Sequence, residues 1–190
     1  TSFDDKNLTD VSYRKHNDVC EHPFGEIGFV IVVDAKYKDL LHKPIRSIQC
    51  YCLKHGYAFH VIDPSNHTFL ECNDFTDIMF KRHCIAANIL KSYDWVVQFD
   101  GDIGVVNESK CVESLFLPMV DVIHEERFHN GEIHAGSMIV RTNDFGWNYL
   151  MNWAKMERVQ PRGFSNSDNR ALHLHLLKLL YPNDAPKYEQ

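Results

Sequence analysis

After a polar, acidic opening through Glu21, the segment Ile27-Gly28-Phe29-Val30-Ile31-Val32-Val33 runs uncharged and rich in β-branched residues. Such a run predicts a buried central strand that stops at Asp34. From Asp39 to His55 the apolar residues Leu40, Leu41, Ile45, Ile48 and Cys52 recur at helical spacing, with Pro44 tolerable only near the first turn and Gly56 as the stop. Tyr57 to Ile62 predicts a second strand, closed by the turn chemistry of Asp63-Pro64-Ser65-Asn66. A helix over about Asp77 to Lys91 and a third strand, Trp95 to Phe99, follow. Further on, the pattern predicts a helix near Ser109–Leu117 and strands near Val120–Ile123 and Ser137–Arg141. An amphipathic helix over Phe145–Arg158 and a last helix over Ser167–Leu180 complete the reading. Strands alternating with helices imply an α/β domain with a mostly parallel sheet and helices on its faces. Residues 1–24 read as an N-terminal extension and 25–190 as one domain.

With 190 residues, 44% of them hydrophobic, the chain can bury a core without help from disulfides or metal. The 20 Lys and Arg residues are scattered and the net charge is −6, which argues against binding to nucleic acid or insertion at an anionic membrane. No apolar run approaches the ~20 residues of a membrane span. The opening Thr1-Ser2-Phe3 carries no initiator Met or signal core, as in a trimmed mature or recombinant fragment. Six cysteines (20, 50, 52, 72, 84 and 111) form an even set without CxxC spacing, so some pairing is expected in an oxidising compartment. Cys50 and Cys52 share a helical stretch where buried free thiols are the alternative. Asn-x-Ser/Thr acceptors at Asn7, Asn66 and Asn107 add to a secretory reading, with Asn107 the least suited to carry a glycan.

The sharpest chemical feature is Asp100-Gly101-Asp102 at the exit of the third strand, because ligands of open α/β sheets bind beyond the carboxyl ends of strands. Two carboxylates there can bind Mg²⁺ or Mn²⁺, which complete their shells with water and phosphate oxygens. A solvated acidic turn is the competing account.

Tyr93-Asp94-Trp95-Val96-Val97-Gln98-Phe99-Asp100-Gly101-Asp102 resembles the DxD segment of GT-A glycosyltransferases, which hold a nucleotide-sugar diphosphate through a divalent metal. His134-Ala135-Gly136-Ser137-Met138-Ile139-Val140-Arg141-Thr142, followed by Trp147 to Trp153-Ala154, is similar to the "NAGxFLxRN … W" block of the galactomannan galactosyltransferase and xyloglucan xylosyltransferase type. Ser167-Asp168-Asn169-Arg170-Ala171-Leu172 is similar to their "DQxAL" block. From Phe29 to Pro182 the chain also resembles a family of uncharacterised GT-A-like proteins, which combine Phe80-Lys81-Arg82-His83-Cys84, Asp100 to Asn107 and Asp168-Asn169 in that order. The resemblance implies a single GT-A-like, Rossmann-like domain, a UDP-sugar donor, Mn²⁺ or Mg²⁺, and retention of the anomeric configuration.

Three positions depart from the pattern. His134 stands where those enzymes have Asn, Asn107-Glu108 replaces Asn-Pro, and the chain reaches Gln190 before any equivalent of a C-terminal histidine ligand. The last point reads as truncation or catalytic weakening.

Asp100 and Asp102 are the expected metal ligands, with Asp100 alternatively at the ribose. Asp34, Arg82, Asp100, Gly101, His134, Ala135 and Gly136 form the expected donor-binding set, and Asp168 with Asn169 the catalytic pair. Each has a bland alternative: a turn residue for Asp34, a surface salt bridge for Arg82, a bulge glycine for Gly136, and a helix cap for Asp168. Ser165 and Ser167 are further cap candidates, with Asn166 in the preceding turn. His173 and His175 face opposite ways on a helix and cannot chelate one ion, no other pair suggests a zinc site, and Trp147 and Trp153 read as core.

The reading is a metal-dependent hexosyl- or pentosyltransferase, located in the secretory pathway lumen (Golgi) or secreted, acting on an unknown glycan or protein acceptor. An aspartyl-phosphatase scheme places its Asp-x-Asp on the first strand and fits poorly. A degenerate GT-A module that binds nucleotide or sugar without turnover is the non-enzyme alternative.

Overall fold

The computed structural model describes residues 19–65, 69–159 and 167–184. Asn7, Asn66, Ser165 and Asn166 lie outside the described residues, as does most of the N-terminal extension. Five strands and four α-helices appear in the order β1 (Ile27–Val32), α1 (His42–His55), β2 (Ala58–Ile62), α2 (Ile78–Leu90), β3 (Trp95–Phe99), β4 (Val122–Glu126), β5 (Ile133–Arg141), α3 (Asp144–Lys155) and α4 (Ser167–Leu180).

The strands form one open sheet in the order β2-β1-β3-β5-β4. β1 pairs in parallel with β2 and β3, whereas β5 runs antiparallel to both β3 and β4, so β5 alone opposes the common direction. Consecutive crossovers through α1 and α2 place β2 and β3 on opposite sides of β1. Each crossover is right-handed by preference, so the two helices cover opposite faces and the strand order reverses between β1 and β3. That reversal opens a crevice at the carboxyl ends of β1 and β3, where Asp34 and Asp100-Gly101-Asp102 leave the sheet.

Alternation along the strands sorts the core into two layers. Phe29, Ile31, Val97 and Ile139 pack toward Ile45, Ile48 and Cys52 of α1. Val30, Val96, Met138 and Val140 pack toward α2 and α3, against Phe80, Ile85, Leu150 and Trp153. α2 is buried on nearly all sides because it lies between the sheet, α3 and α4, and its start is fixed by the Asp77 carboxylate accepting from the Met79 N–H at 2.9 Å.

The structure corrects four elements of the sequence reading. α1 begins at His42 rather than Asp39, which brings Pro44 into the first turn, where its missing N–H has no helical partner to lose. The helix expected over Ser109–Leu117 is only a 3-10 turn at Val112–Leu115. The carbonyls of Glu108 and Lys110, which a helix would need, accept instead from His55 Nε2 and the Tyr51 hydroxyl, both at 2.7 Å. Phe116 turns inward onto Trp95, ring centroids 4.5 Å apart. The strand expected at Ser137–Arg141 extends back to Ile133, and the one expected near Val120–Ile123 is shifted to Val122–Glu126. Gly56 ends α1 as anticipated, in the left-handed region at φ 79°.

Disulfides join Cys20 to Cys111 and Cys72 to Cys84, while Cys50 and Cys52 are free. The first fastens the segment before β1 to the loop after β3. The second fastens the turn Leu70–Cys72 to α2. The Nδ1 of buried His55 lies 2.9 Å from Cys20 Sγ, and with Cys111 the three ligand atoms fall within 4.8 Å of one another, both sulfurs being spent in the disulfide.

Between the sheet and helices α2 to α4 sits a layer of imidazoles. His83 and His175 are buried and His124 donates or accepts at 2.7 Å with the Tyr149 hydroxyl. Burial lowers all three to about 4.

Two outcomes are expected. Peptide mapping without reduction should recover Cys20–Cys111 and Cys72–Cys84 as cross-links; on chain-entropy grounds, removing the first, which closes 91 residues, should cost about 4 to 5 kcal/mol and the second, closing 12, about 3 kcal/mol. Six alkylatable thiols would contradict both. The three histidines protonate in the unfolded chain first, because their folded values lie below the usual 6.5. Stability should therefore fall as pH drops from about 6.5 to about 4, by up to about 3 kcal/mol per histidine, and these groups should add no further loss below that window. A melting temperature that stays flat from pH 7 to 4 would show that they are not held neutral.

Candidate active site at the strand ends

The site is assembled around one guanidinium. Arg82 sits on α2, 7% exposed, and points to the carboxyl end of β3. One amino group donates to Asp100 Oδ1, and the other donates to Asp168 Oδ2 at 2.5 Å and to the Ala135 carbonyl at 3.3 Å. A planar fork can serve two carboxylates and a carbonyl in this way, whereas a lysine would act as a point charge. The Arg82–Asp100 pair is part-buried, with the guanidinium enclosed and the carboxylate 30% exposed, rather than the surface salt bridge weighed for Arg82.

Asp100 leaves β3 with its N–H bonded to the Gly136 carbonyl at 2.7 Å, which locks the strand exit to β5. Gly136 lies where β5 slips register against β4: His124 faces Met138, but Glu125 already faces His134. A Cβ on Gly136 would meet His134 Cε1 at 2.4 Å, His134 Nε2 at 2.9 Å and Asp100 Oδ2 at 2.7 Å. The missing side chain therefore lets the imidazole and the carboxylate converge on one spot, so the irregular strand and the close approach are the same device.

Asp102 is exposed, and no described residue engages its carboxylate. Gly101 packs toward Leu41, Val33 and Ile31, which seats the acidic turn on the start of α1. Oxygen donors of this kind, with a histidine nitrogen beside Asp100, suit a hard divalent cation such as Mg²⁺ or Mn²⁺. Asp100 Oδ2 and the Asp102 carboxylate are the groups that would hold it.

Asp168 opens α4 and is 6% exposed. Burial would raise its carboxyl, but the hydrogen bond from His83 Nε2 at 3.2 Å and the Arg82 charge outweigh that and hold it below the ordinary carboxylate range. Its Oδ1 has no partner among the described residues. Asn169 ties α4 to β5: its Oδ1 accepts from the Ala135 N–H at 2.9 Å and its Nδ2 donates to Glu132.

Asp34 stands apart from this network. It follows β1 beside the Asp100 turn, but its Oδ1 accepts from the Lys36 N–H at 3.0 Å and its Oδ2 pairs with Lys36 Nζ at 3.1 Å. The backbone bond and the ammonium keep its carboxyl lowered. Ala135 and His134 flank the bulge, with His134 Nδ1 3.8 Å from Glu125 Oε2. His175 is buried and His173 exposed, so they do not converge, as their spacing requires. Trp153 is fully buried, while Trp147 is only partly so.

Sequence reasoning missed His83, Glu125 and Glu132. His83 stands next to Arg82 on a helix, and only the burial of α2 on several sides lets both side chains reach Asp168. The two glutamates come from β4 and the turn before β5, where the register slip hid the strand pattern.

The DUF273 model, described as a protein of unknown function, matches residues 48–190. Among solved structures, a glycosyltransferase involved in glycosylation of the major capsid of PBCV-1 aligns with a TM-score of 0.60 at 19% identity, over 78% of this chain and 74% of that one. A Drosophila β1,4-galactosyltransferase 7 mutant, solved with manganese, UDP-Gal and xylobiose, aligns at 13% identity over 76% of this chain and 68% of that one; its TM-score of 0.40 is too low to carry an argument. No curated protein sequence matches significantly. The open five-stranded sheet and its helices thus have a glycosyltransferase fold, and the chain belongs to the DUF273 family.

Proposed function

We propose that the protein is a divalent-metal-dependent glycosyltransferase that moves a sugar from a nucleoside-diphosphate donor, in the UDP-sugar class, to a glycan or protein acceptor with retention. One observation supports the reading: Asp102, unengaged among the described residues, and a half-committed Asp100 lie at the strand-order reversal, with a buried, ionised Asp168 fixed on the same guanidinium. Mn²⁺ or Mg²⁺ held by Asp100 and Asp102 would neutralise the leaving diphosphate as a Lewis acid. Asp168 Oδ1 is the oxygen left to accept from a sugar hydroxyl and to face positive charge growing at the anomeric carbon. In this reading His134 and the Ala135-Gly136 backbone would line the approach to that sugar, and Asp34 would meet the ribose or base on giving up Lys36. Two disulfides and the glycosyltransferase fold support action in the secretory lumen, and no helix among the described residues is long and apolar enough to cross a membrane.

A second reading, a module that binds nucleotide sugar without turnover, is favoured by a specific feature. Among the described residues no third His, Cys, Asp or Glu joins Asp100 and Asp102 in a ready metal cluster.

A thermal-shift panel of nucleoside diphosphates with and without Mn²⁺ tests the site, since a ligand bound only to the folded state raises the melting temperature. Stabilisation by UDP should require the metal, and Asp102→Asn should abolish that requirement's benefit. Equal stabilisation with and without metal in the wild type would refute metal-assisted binding.

Asp168→Ala should reduce turnover of a UDP-sugar about 100-fold or more while leaving UDP affinity nearly unchanged, because the lost interaction strengthens only as the bond to diphosphate lengthens. A purely structural Asp168 would behave otherwise, losing stability as Arg82 and His83 lose their partner while the folded protein keeps wild-type turnover. Absence of turnover by the wild type with every donor would give precedence to the binding module.

A further inference from the structure

We propose that His83 is a positioning residue, whose imidazole, clamped on Trp153, fixes the Asp168 carboxylate so that Oδ1 is presented to the donor sugar. The inference rests on the glycosyltransferase reading for the use of Asp168, and on geometry alone for the fixing.

His83 is 0% exposed, and its ring stacks on that of Trp153 with centroids 3.6 Å apart and planes inclined by 16°. The same indole donates its Nε1–H to the Asp168 carbonyl at 3.1 Å. One Trp of α3 therefore holds both the main chain of Asp168 and the ring that meets its side chain. His83 Nε2 lies 3.2 Å from Asp168 Oδ2. An ionised carboxylate only accepts, so Nε2 carries the proton and Nδ1 is left as a bare acceptor. That Nδ1 is buried with no partner among the described residues.

An unpaired buried acceptor costs stability, and a phenylalanine would stack on Trp153 without that cost. What phenylalanine lacks is the Nε2–H. Among the described residues, the one donated bond is what distinguishes the imidazole from a phenyl ring here.

Among the described residues, the charged and titratable groups facing Asp168 are these. Arg82 and His83 approach from α2, Asp100 stands behind Arg82 at the end of β3, and His124 on β4 acts on His83 from farther off. Burial keeps His83 and His124 neutral near pH 7. Neutrality matters to the proposed role, because a second cation beside Arg82 would cancel the field that the carboxylate presents to the sugar. A neutral donor aligns the group and leaves its charge in place. Both donors act on Oδ2, which leaves Oδ1 without a partner among the described residues.

The test uses the full chain and two variants. His83→Phe keeps the stack and removes the donor, and His83→Gln restores an amide donor. Carbon-13 carboxyl NMR follows the titration of Asp168, and hydrolysis of UDP-glucose and UDP-galactose with Mn²⁺ is followed across pH. In His83→Phe we expect the Asp168 midpoint to move to higher pH, the acid limb of turnover to move with it, and kcat at neutral pH to fall roughly tenfold with little change in KM. His83→Gln should recover most of that loss. An unmoved Asp168 titration in a folded His83→Phe would overturn the proposal and leave His83 as packing.

Lack of any hydrolysis by the wild type would count against the transferase reading, and the NMR titration would still decide the role of His83. Should His83→Phe fail to fold, nitrogen-15 imidazole spectra of the wild type decide. The proposal requires the Nε2–H tautomer through neutral pH with protonation only near pH 4, and an Nδ1–H tautomer or titration near 6.5 would overturn it.

Discussion

Arg82 is the constraint on which the crevice depends. Its guanidinium is the shared partner of Asp100, at the end of β3, and Asp168, at the start of α4, and it also reaches the Ala135 carbonyl on β5. Four elements therefore meet at one side chain. Removing a charge from such a buried set costs about 3 to 5 kcal/mol, because the partners are left uncompensated in a poor dielectric. Without Arg82 the two carboxylates would also repel, and one of them would take up a proton. The geometry of the site is thus inseparable from the packing of α2 against the sheet.

That packing follows from the order of the strands. Parallel pairing of β1 with β2 and β3 sends α1 and α2 to opposite faces, and the antiparallel β5 then brings its own irregular start alongside the exit of β3. A parallel strand in the place of β5 would have set its carboxyl end there. The antiparallel one instead presents His134 and Gly136 from its amino end, and the register slip against β4 turns them toward Asp100. The Asn169 amide bridges this strand to α4, so the distance between the acidic turn and Asp168 is fixed from two sides.

Sequence patterning was sufficient for the parts of this frame whose residues repeat with a clear period. β1 is an uncharged run rich in β-branched residues, β3 is apolar but for Gln98, α4 begins at the anticipated Ser167, and the crossovers follow from alternation. Patterning failed where side chains from distant segments consumed backbone groups. The loop over Glu108 to Leu117 has helical composition, yet His55 and Tyr51 take its carbonyls and the Cys20–Cys111 disulfide pins its start. At the site, Asp100, Asp102, Arg82 and Asp168 were legible as chemistry-bearing residues, and their convergence on one guanidinium was not. His83 was invisible as a functional group because adjacency to Arg82 in a helix normally sends two side chains about 100° apart. Only a helix enclosed on several sides can use both.

Charge accounting gives the arrangement its chemical direction. One guanidinium pairs with two carboxylates, those of Asp100 and Asp168, with Asp102 exposed two residues beyond Asp100, while the nearby imidazole of His83 is kept neutral by burial. Among these described residues the carboxylates outnumber the cation by two. A diphosphate alone would be repelled by such a surface, and a divalent cation alone would be drawn to it. The same excess lies unevenly, because Arg82 neutralises the buried side and leaves Asp102 exposed at the mouth. The attraction for a cation is therefore strongest at the mouth, where a phosphate can share it, while the inner carboxylate stays aligned by Arg82 and His83 and remains ionised well below neutral pH. On the proposed reading, a nucleoside diphosphate would enter as the metal's second partner, and its sugar would then lie between the metal and Asp168.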